Sequence, residues 1–577
     1  MLAGKGEAAL AALMRLAAKS PRDAEVAGML SMVLSRLGRH EPALFYARRA
    51  VELVPDHPRL LLNLATSGRA ALPPAEAMAA LQRAVVLAPG DLEIRLSLVN
   101  ELLVSHRAAE AAEHCRVGLA AGPNAAISVS YANALLALGD VEGCVTLLRE
   151  AKARFPDDAT LAAFLPMAMC YLWGADPAER AAAHRAYGRL LDRTRPAISL
   201  SHQGVKDPER RLRVGFVSPD LRSHSVAFFV EPFFEHHDRR AFEVVAYATG
   251  LCDDATSARL RGHAALWRDA AGLTDVGLAR LANAERVDVL VDLAGHTLYN
   301  SLPAFNLRPA PVQATYCGYP DSTGVSAMGY RIVDARTDPP GAADTYATER
   351  LWRLDPCFLC YRPPEGAPAP TRDAAAAGSG SGGVVFGSFN ASKKVNRTLI
   401  GVWARVLHAV PGSRLLLKAQ DFNDPTIPAG MRERFAAHGI GPERLDLLAG
   451  TKGIAEHLAL YARMDIALDT LPYNGTTTTC EALHMGVPVV TMAGDSHPGR
   501  VGVSLLGTLG LDELIAPDVD GYVAIAAALA ADPARLASYR STLRGRLSAS
   551  PLCDGPGFAA RFGDALRGMW RERCART

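Results

Sequence analysis

The first third of the chain alternates apolar and polar residues at helical spacing, and prolines interrupt it at a fixed period. Pro21, Pro55, Pro89, Pro123 and Pro156 lie 34, 34, 34 and 33 positions apart. Each sits between two helical patterns, as in "ELVPDHPRLLLNLA" and "VLAPGDLEIRLSLV". Leu30, Leu64 and Leu98 keep the same register, as do Ala43, Ala77 and Ala111. Ala50 and Ala84 follow suit, with Gly118 in the next slot. Ala43 and Ala50 are seven positions apart and face the same way on a helix, where small side chains admit a neighbouring helix. The repeating unit is a helix–turn–helix, and it fades near Leu190 in "AHRAYGRLLDRTRP".

From Arg211 the pattern becomes short apolar runs separated by helical stretches. "RLRVGFVS", "FEVVAYAT", "VDVLVDLAG", "PVQATYCG" and "YRIVDA" read as strands, and "SVAFFVEPFFEHH" as a helix. A break follows at "PPEGAPAPTRDAAAAGSGSGG", residues 363–383. Alternation then resumes with "VVFGSF", "SRLLLKAQ", "RLDLLAG", "MDIALDT" and "VPVVTMA" as strands. Such alternation implies parallel sheets covered on both faces. Two blocks joined by a linker predict two Rossmann-like domains facing a cleft. The 34-residue period is that of tetratricopeptide repeats, which stack into a superhelix with a concave partner-binding surface. The expected fold is therefore α/β, with an all-α superhelix over residues 1–195 and α/β lobes over 207–375 and 383–570. The glycines of "GSGSGG" (378–383) have dinucleotide-fingerprint spacing but precede a strand instead of following one, so no nucleotide is assigned to them.

Composition narrows the class. Among 577 residues, 49% are apolar and 21% charged, so the whole chain can be globular. With 62 basic and 60 acidic residues, the net charge of +2 gives no reason to expect a nucleic acid or a membrane surface as partner. The opening "MLAGKGEAALAALMRLAAKS" is broken by Arg15 and reads as an amphipathic helix. The richest later apolar run, "YVAIAAALAA", is half the roughly 20 residues needed to span a bilayer. A soluble, cytoplasmic protein is expected. Of ten cysteines only Cys357 and Cys360 are close, and a lone pair of this kind lacks the second pair of a structural zinc site.

The candidate chemistry lies at carboxyl strand ends. In "LPYNGTTTTCEAL" (471–483), four threonines fall between a short apolar strand and a helix that ends at Gly486. A helix N-terminus offers free N–H groups and a positive dipole end, and hydroxyls add donors. A phosphate or diphosphate is the expected guest, with Gly475 letting backbone approach it. The plain alternative is capping by one of Thr476 to Thr478, with Glu481 in the first turn. "GSFNASKKVN" places Lys393 and Lys394 after the first strand of the second block, where a lysine can neutralise a leaving phosphate. "AEHLALYARMD" puts His457 on the preceding helix. His224 in "SPDLRSHSVAFF" and His296 in "LAGHT" follow strands of the first block, and either fits a general base near neutral pH. Asp518-Val-Asp520 precedes a helix and reads as an N-cap.

Read together, "RVGFVSPDLRSH", "LRPAPVQATYCGYPDSTG", "GSFNASKKVN", "AEHLALY" and "LDTLPYNGTTTTCEALHMGVPVVTM" resemble the O-linked N-acetylglucosamine transferases of glycosyltransferase family 41, in a compact bacterial form. The resemblance runs from the repeats to about Trp570. It implies an inverting, metal-independent transferase of the two-Rossmann type, called GT-B, needing no cofactor. The donor would be UDP-N-acetylglucosamine, bound mainly by the second lobe. The acceptor would be a serine or threonine hydroxyl of a protein whose peptide lies in the cleft beside the superhelix. By position, Lys394 is the lysine that stabilises the UDP leaving group, and Thr477 and Thr478 bind the diphosphate. His457 packs near the uridine, Glu481 serves the ribose, and Asn474, Gly475 and Thr476 complete the donor loop. His224 matches the histidine taken as general base, with His296 as an additional candidate. Cys317, Gly318 and Pro320 lie on the loop that closes over the sugar. Animal members carry histidine where Thr476 stands, and an extra domain where this chain has its linker. Two other readings keep the fold: a UDP-hexose transferase acting on asparagine or a small molecule, and a non-catalytic repeat scaffold.

Overall fold

The computed structural model describes residues 2–67, 71–202, 206–372 and 383–575. They fall into two compact units, Met1–Phe155 and Pro156–Thr577.

In the first unit the periodic prolines sit just ahead of helix starts. Asp23, Asp91 and Asn124 then cap their helices by accepting first-turn N–H groups. Ala43, Ala47, Ala50, Ala84 and Ala111 are fully buried where helices cross. Gly118 takes the next slot because the approach is closer there. An added Cβ would come within 2.9 Å of Ile127 and 3.1 Å of Arg95.

The second unit opens with the helices Ala159–Met169 and Pro177–Thr194. The sequence pattern counts them with the repeats, yet here they share a compact unit with the α/β lobes. Ala162, Tyr187, Leu190 and Leu191 share one core with Leu290, Phe305 and Val325. Backbone meets backbone at Gly188, where an added Cβ would lie 1.8 Å from the Gly324 carbonyl oxygen.

The first sheet contains β1 (Leu212–Ser218), β2 (Phe242–Ala248), β3 (Leu266–Asp269), β4 (Val289–Asp292), β5 (Val312–Tyr316), β6 (Tyr330–Asp334) and β7 (Arg350–Leu354). Its order is β3-β2-β1-β4-β5-β6-β7, all parallel. The second sheet contains β8 (Val385–Ser388), β9 (Arg414–Lys418), β10 (Leu445–Leu448), β11 (Ile466–Leu468), β12 (Val489–Met492) and β13 (Ile515–Ala516). Its order is β10-β9-β8-β11-β12-β13, again all parallel. The order reverses at β1/β4 and at β8/β11. Connections part on opposite faces at such switch points, leaving a crevice at the carboxyl strand ends.

Two features tie the lobes together. The helix Gly555–Ala575 leaves the second lobe and packs on the first. Phe562 lies 4.9 Å from both Phe233 and Tyr316, and Trp570 Nε1 donates to the Asp207 carbonyl at 2.9 Å. Asp338, past the end of β6, pairs with His497 and with Arg331, the latter at 3.3 Å. Although burial opposes it, Arg331 and His497 hold the Asp338 carboxyl well below the usual range. Within the linker, residues 373–382 lie outside the described residues, and with them "GSGSG". The part before it is fastened to the second lobe through Arg372–Asp465 at 2.8 Å and Arg544 to the Pro368 carbonyl at 2.6 Å. Among the described residues no helix is long and apolar enough to cross a membrane. Cys357 and Cys360 are free and buried. Asp518 caps its helix by accepting the Gly521 N–H, and Asp520 pairs with Arg405 at 2.6 Å.

Candidate active site

Strand β11 delivers Asp469 into the interior, where it folds the following loop back on itself. Its Oδ1 accepts the N–H of Gly475 at 2.7 Å, and its Oδ2 the Thr491 hydroxyl at 2.8 Å. Asn474 is fully buried. Its Nδ2 donates to the Thr470 carbonyl at 2.9 Å, and its Oδ1 accepts the Gly502 N–H at 3.1 Å. The amide expected to face a donor is thus engaged in holding the loop. What Asn474 offers outward is its carbonyl, which accepts from Lys394 Nζ at 2.7 Å. Burial pulls the Lys394 ammonium down to about 7, against the attraction of Asp469 and with the repulsion of Lys393. Burial likewise pushes the Asp469 carboxyl up, against its hydrogen bonds and Lys394. An arriving diphosphate would supply the counter-charge this lysine is short of.

The helix Thr477–His484 begins beside that lysine, and the threonine run divides by role. Thr476 is the N-cap residue, yet its side chain makes no capping bond. The buried Thr479 hydroxyl donates back to the Gly475 carbonyl at 3.1 Å, and the Thr478 hydroxyl donates to Asn390 Oδ1 at 3.1 Å. Thr477 Oγ1 is buried and has no protein partner. Capping alone therefore does not account for the run. Gly475 has a different reason from the one its sequence context offers. A Cβ there would stand 2.4 Å from Thr478 Oγ1, so glycine lets Thr478 close over the loop.

His457 is held from both sides. Lys418 Nζ donates to Nδ1 at 2.6 Å, so the ring's own proton sits on Nε2 and is donated to Glu481 Oε2 at 2.9 Å. Tyr461 donates to the same carboxylate oxygen at 3.3 Å, and the rings of Phe389 and Tyr461 each lie 5.6 Å from the imidazole. Glu481, expected at the ribose, first of all orients His457. Lys418, Asn390 and Asp469 escape the sequence reading. Each stands at the carboxyl end of an apolar parallel strand, the signal that singles out Lys394.

In the first lobe the two histidines differ. His224 caps the helix Ser225–His236, its Nδ1 accepting the Val226 N–H at 3.3 Å with Asp220 Oδ2 at 3.9 Å. Its side chain is 40% exposed. Partial burial lowers its proton affinity, with Asp220 opposing and Arg222 reinforcing. His296 is buried and its Nε2 is bonded to the Thr323 carbonyl at 2.8 Å. Burial, with His184 adding, pushes it down to about 3. The ring is thus enclosed and held neutral, whereas His224 is partly exposed. On the neighbouring loop Cys317 adopts φ +46°. Gly318 is required there, because a Cβ would lie 1.8 Å from the Leu293 carbonyl oxygen. Pro320 is buried, and Tyr319 between them donates to or accepts from His184 Nε2 at 2.8 Å.

Two parallel α/β lobes, preceded by helical repeats, define the GT-B architecture of glycosyltransferases. The profile of glycosyl transferase family 41 matches residues 189–360 and 371–561, and the chain belongs to that family. It is 34% identical to an O-GlcNAc transferase from Thermobaculum terrenum, solved as a lysine-to-methionine mutant. That likeness covers 96% of this chain and 98% of the other, with a TM-score of 0.78. It is 41% identical over 397 residues to the probable UDP-N-acetylglucosamine–peptide N-acetylglucosaminyltransferase SPINDLY of Arabidopsis thaliana, 68% of this chain and 43% of that one. The probable transferase SEC of the same plant is 27% identical over 381 residues, 63% of this chain and 38% of SEC. The chain spans less than half the length of these curated relatives.

Proposed function

We propose that this chain transfers N-acetylglucosamine from UDP-N-acetylglucosamine to serine or threonine hydroxyls of proteins, with inversion and without a metal. The observation that carries the reading is the cradle of Lys394, the N-terminus of Thr477–His484 and the partnerless buried Thr477 hydroxyl. The names of the relatives support the donor and the peptide acceptor.

In the reaction the acceptor oxygen attacks the anomeric carbon in line with the departing diphosphate. One carbon–oxygen bond forms on the far face of the sugar as the bond to the β-phosphate breaks. Negative charge gathers on UDP, and Lys394, the helix dipole and the Thr477 hydroxyl offset it, the task a metal performs in other transferases. The hydroxyl's proton passes to His224 Nδ1 once that atom releases Val226, and Asp220 at 3.9 Å pairs with the resulting imidazolium. The fixed ring of His457, packed against the contacting rings of Phe389 and Tyr461, takes the uracil. The Cys317–Pro320 loop covers the sugar.

Calorimetry with UDP in excess chelator tests the donor half. UDP is expected to bind, with affinity falling at least about tenfold in Lys394→Ala while the melting temperature holds. Absence of UDP binding to the wild-type protein, or binding that requires a divalent cation, contradicts the reading.

A further inference from the structure

The turn after the helix Ala159–Met169 puts two neighbouring side chains against the active-site loops of both lobes. Cys170 Sγ lies 3.5 Å from the Tyr319 hydroxyl, on the loop of the first lobe that carries Cys317 and Pro320. Tyr171 stacks on Tyr473 of the second lobe, with ring centroids 4.8 Å apart and planes 10° from parallel. Each ring also carries a lysine. Lys393 Nζ is 5.3 Å from the Tyr171 centroid, and Lys394 Nζ is 4.3 Å from that of Tyr473.

The turn is rigidly mounted. Cys170 and Tyr171 donate their N–H groups to Met167 and Ala168 carbonyls, and Ala162 of the same helix lies in the core of the first lobe. Tyr171 itself is buried. Tyr473 precedes Asn474, whose carbonyl accepts from Lys394. A fixed ring at position 171 therefore fixes Tyr473, and through it the carbonyl that aims the ammonium. The two π faces also hold adjacent cations that would otherwise repel each other.

We propose that Tyr171, from the helical segment ahead of the catalytic lobes, is a positioning residue for the diphosphate cradle, acting on Lys394 through its stack with Tyr473. The proposal rests on the reading above that Lys394 holds the donor's diphosphate. A consequence is that the donor site of the second lobe is complete only with this helical segment in place.

Inorganic pyrophosphate, which has neither base nor sugar, is the probe. Its affinity is measured by calorimetry from pH 6 to 9 for the full chain, Tyr171→Phe and Tyr171→Ala. At pH 6 the Ala variant is expected to bind about tenfold more weakly and the Phe variant within about twofold of wild type. The groups facing Lys394 are Asp469 and Lys393, and Asp421 faces Lys393. None of them is altered, and pyrophosphate's own titration is common to all three proteins. With the ring gone, water reaches the ammonium, so the alkaline loss of binding moves to higher pH in the Ala variant. A purely structural role would not produce that shift. Should Tyr171→Ala melt early, Tyr171→Leu, which keeps bulk without a π face, is read in its place. Unchanged affinity and pH dependence, a Phe variant as weak as Ala, or a wild-type protein that does not bind pyrophosphate overturns the proposal. A wild-type protein that binds pyrophosphate but transfers no sugar would instead fail the catalytic reading alone.

Discussion

Thr477 and Thr479 stand two positions apart in one run and have opposite consequences. The Thr479 hydroxyl is bonded to Gly475, whereas the Thr477 hydroxyl is buried without a partner. Thr479→Val should lower stability by about 1 kcal/mol and leave UDP affinity unchanged. Thr477→Val should leave the melting temperature unchanged or raised, because an unsatisfied buried group is removed, and weaken UDP about tenfold. Melting curves and calorimetry on the pair check both halves. The family resemblance set Thr477 and Thr478 apart from Thr479 in the sequence but did not separate the first two from each other, because the partner of the Thr478 hydroxyl is Asn390, 88 positions away. The histidines make the same point. His224 and His296 have equivalent sequence contexts, and only packing separates the half-exposed ring from the enclosed one. His296 and its neighbour His184 are held neutral by burial, down to about 3 and about 4. Their unfolded value is about 6.5, so between these limits the unfolded chain binds more protons than the folded one. Stability should fall as pH drops from about 6.5 towards 4, by about 1.4 kcal/mol per pH unit from each ring. Denaturant titrations across that range measure it. His184→Gln and His296→Gln together should flatten the slope.

Elements with strong periodicity were legible, and those made by neighbours were not. β1, β2, β5 and β9 announce themselves as apolar runs. β3 ("LWRD") and β7 ("RLWRL") mix charges with apolar residues because they lie at the sheet edges, half in water. β13 has two residues and no pattern to read. The helices Ala159–Met169 and Pro177–Thr194 continue the repeat's texture, so periodicity assigns them to it, while their apolar faces pack on the first sheet's core. The tightest point of that packing is Gly188 against the Gly324 carbonyl. Gly188→Ala should destabilise the second unit by about 1–3 kcal/mol, read as a lower denaturant midpoint. No sequence periodicity marks that glycine, because its neighbour is 136 positions away on another element.

At the scale of the whole molecule, contacts between the lobes reach the candidate donor loop. Asp338–His497 ties the lobes, and Pro498 beside that histidine accepts the Asn474 N–H at 2.8 Å, so the tie reaches the donor loop. The motifs around Lys394 and the threonine run were readable in the sequence because they are local. The contacts of Cys170 with Tyr319 and of Tyr171 with Tyr473 join elements far apart in the chain and were not. Sugar transfer itself is measured by incubating the full chain with a serine- and threonine-bearing peptide and UDP-N-acetylglucosamine in chelator. Parallel reactions use UDP-glucose and GDP-linked sugars, and fragment mass spectrometry locates any product. N-acetylhexosamine is expected on a serine or threonine, from UDP-N-acetylglucosamine in preference to the others, and is lost in Lys394→Ala. A sugar on asparagine, preferential transfer from another nucleotide sugar, or transfer that survives Lys394→Ala would contradict that expectation.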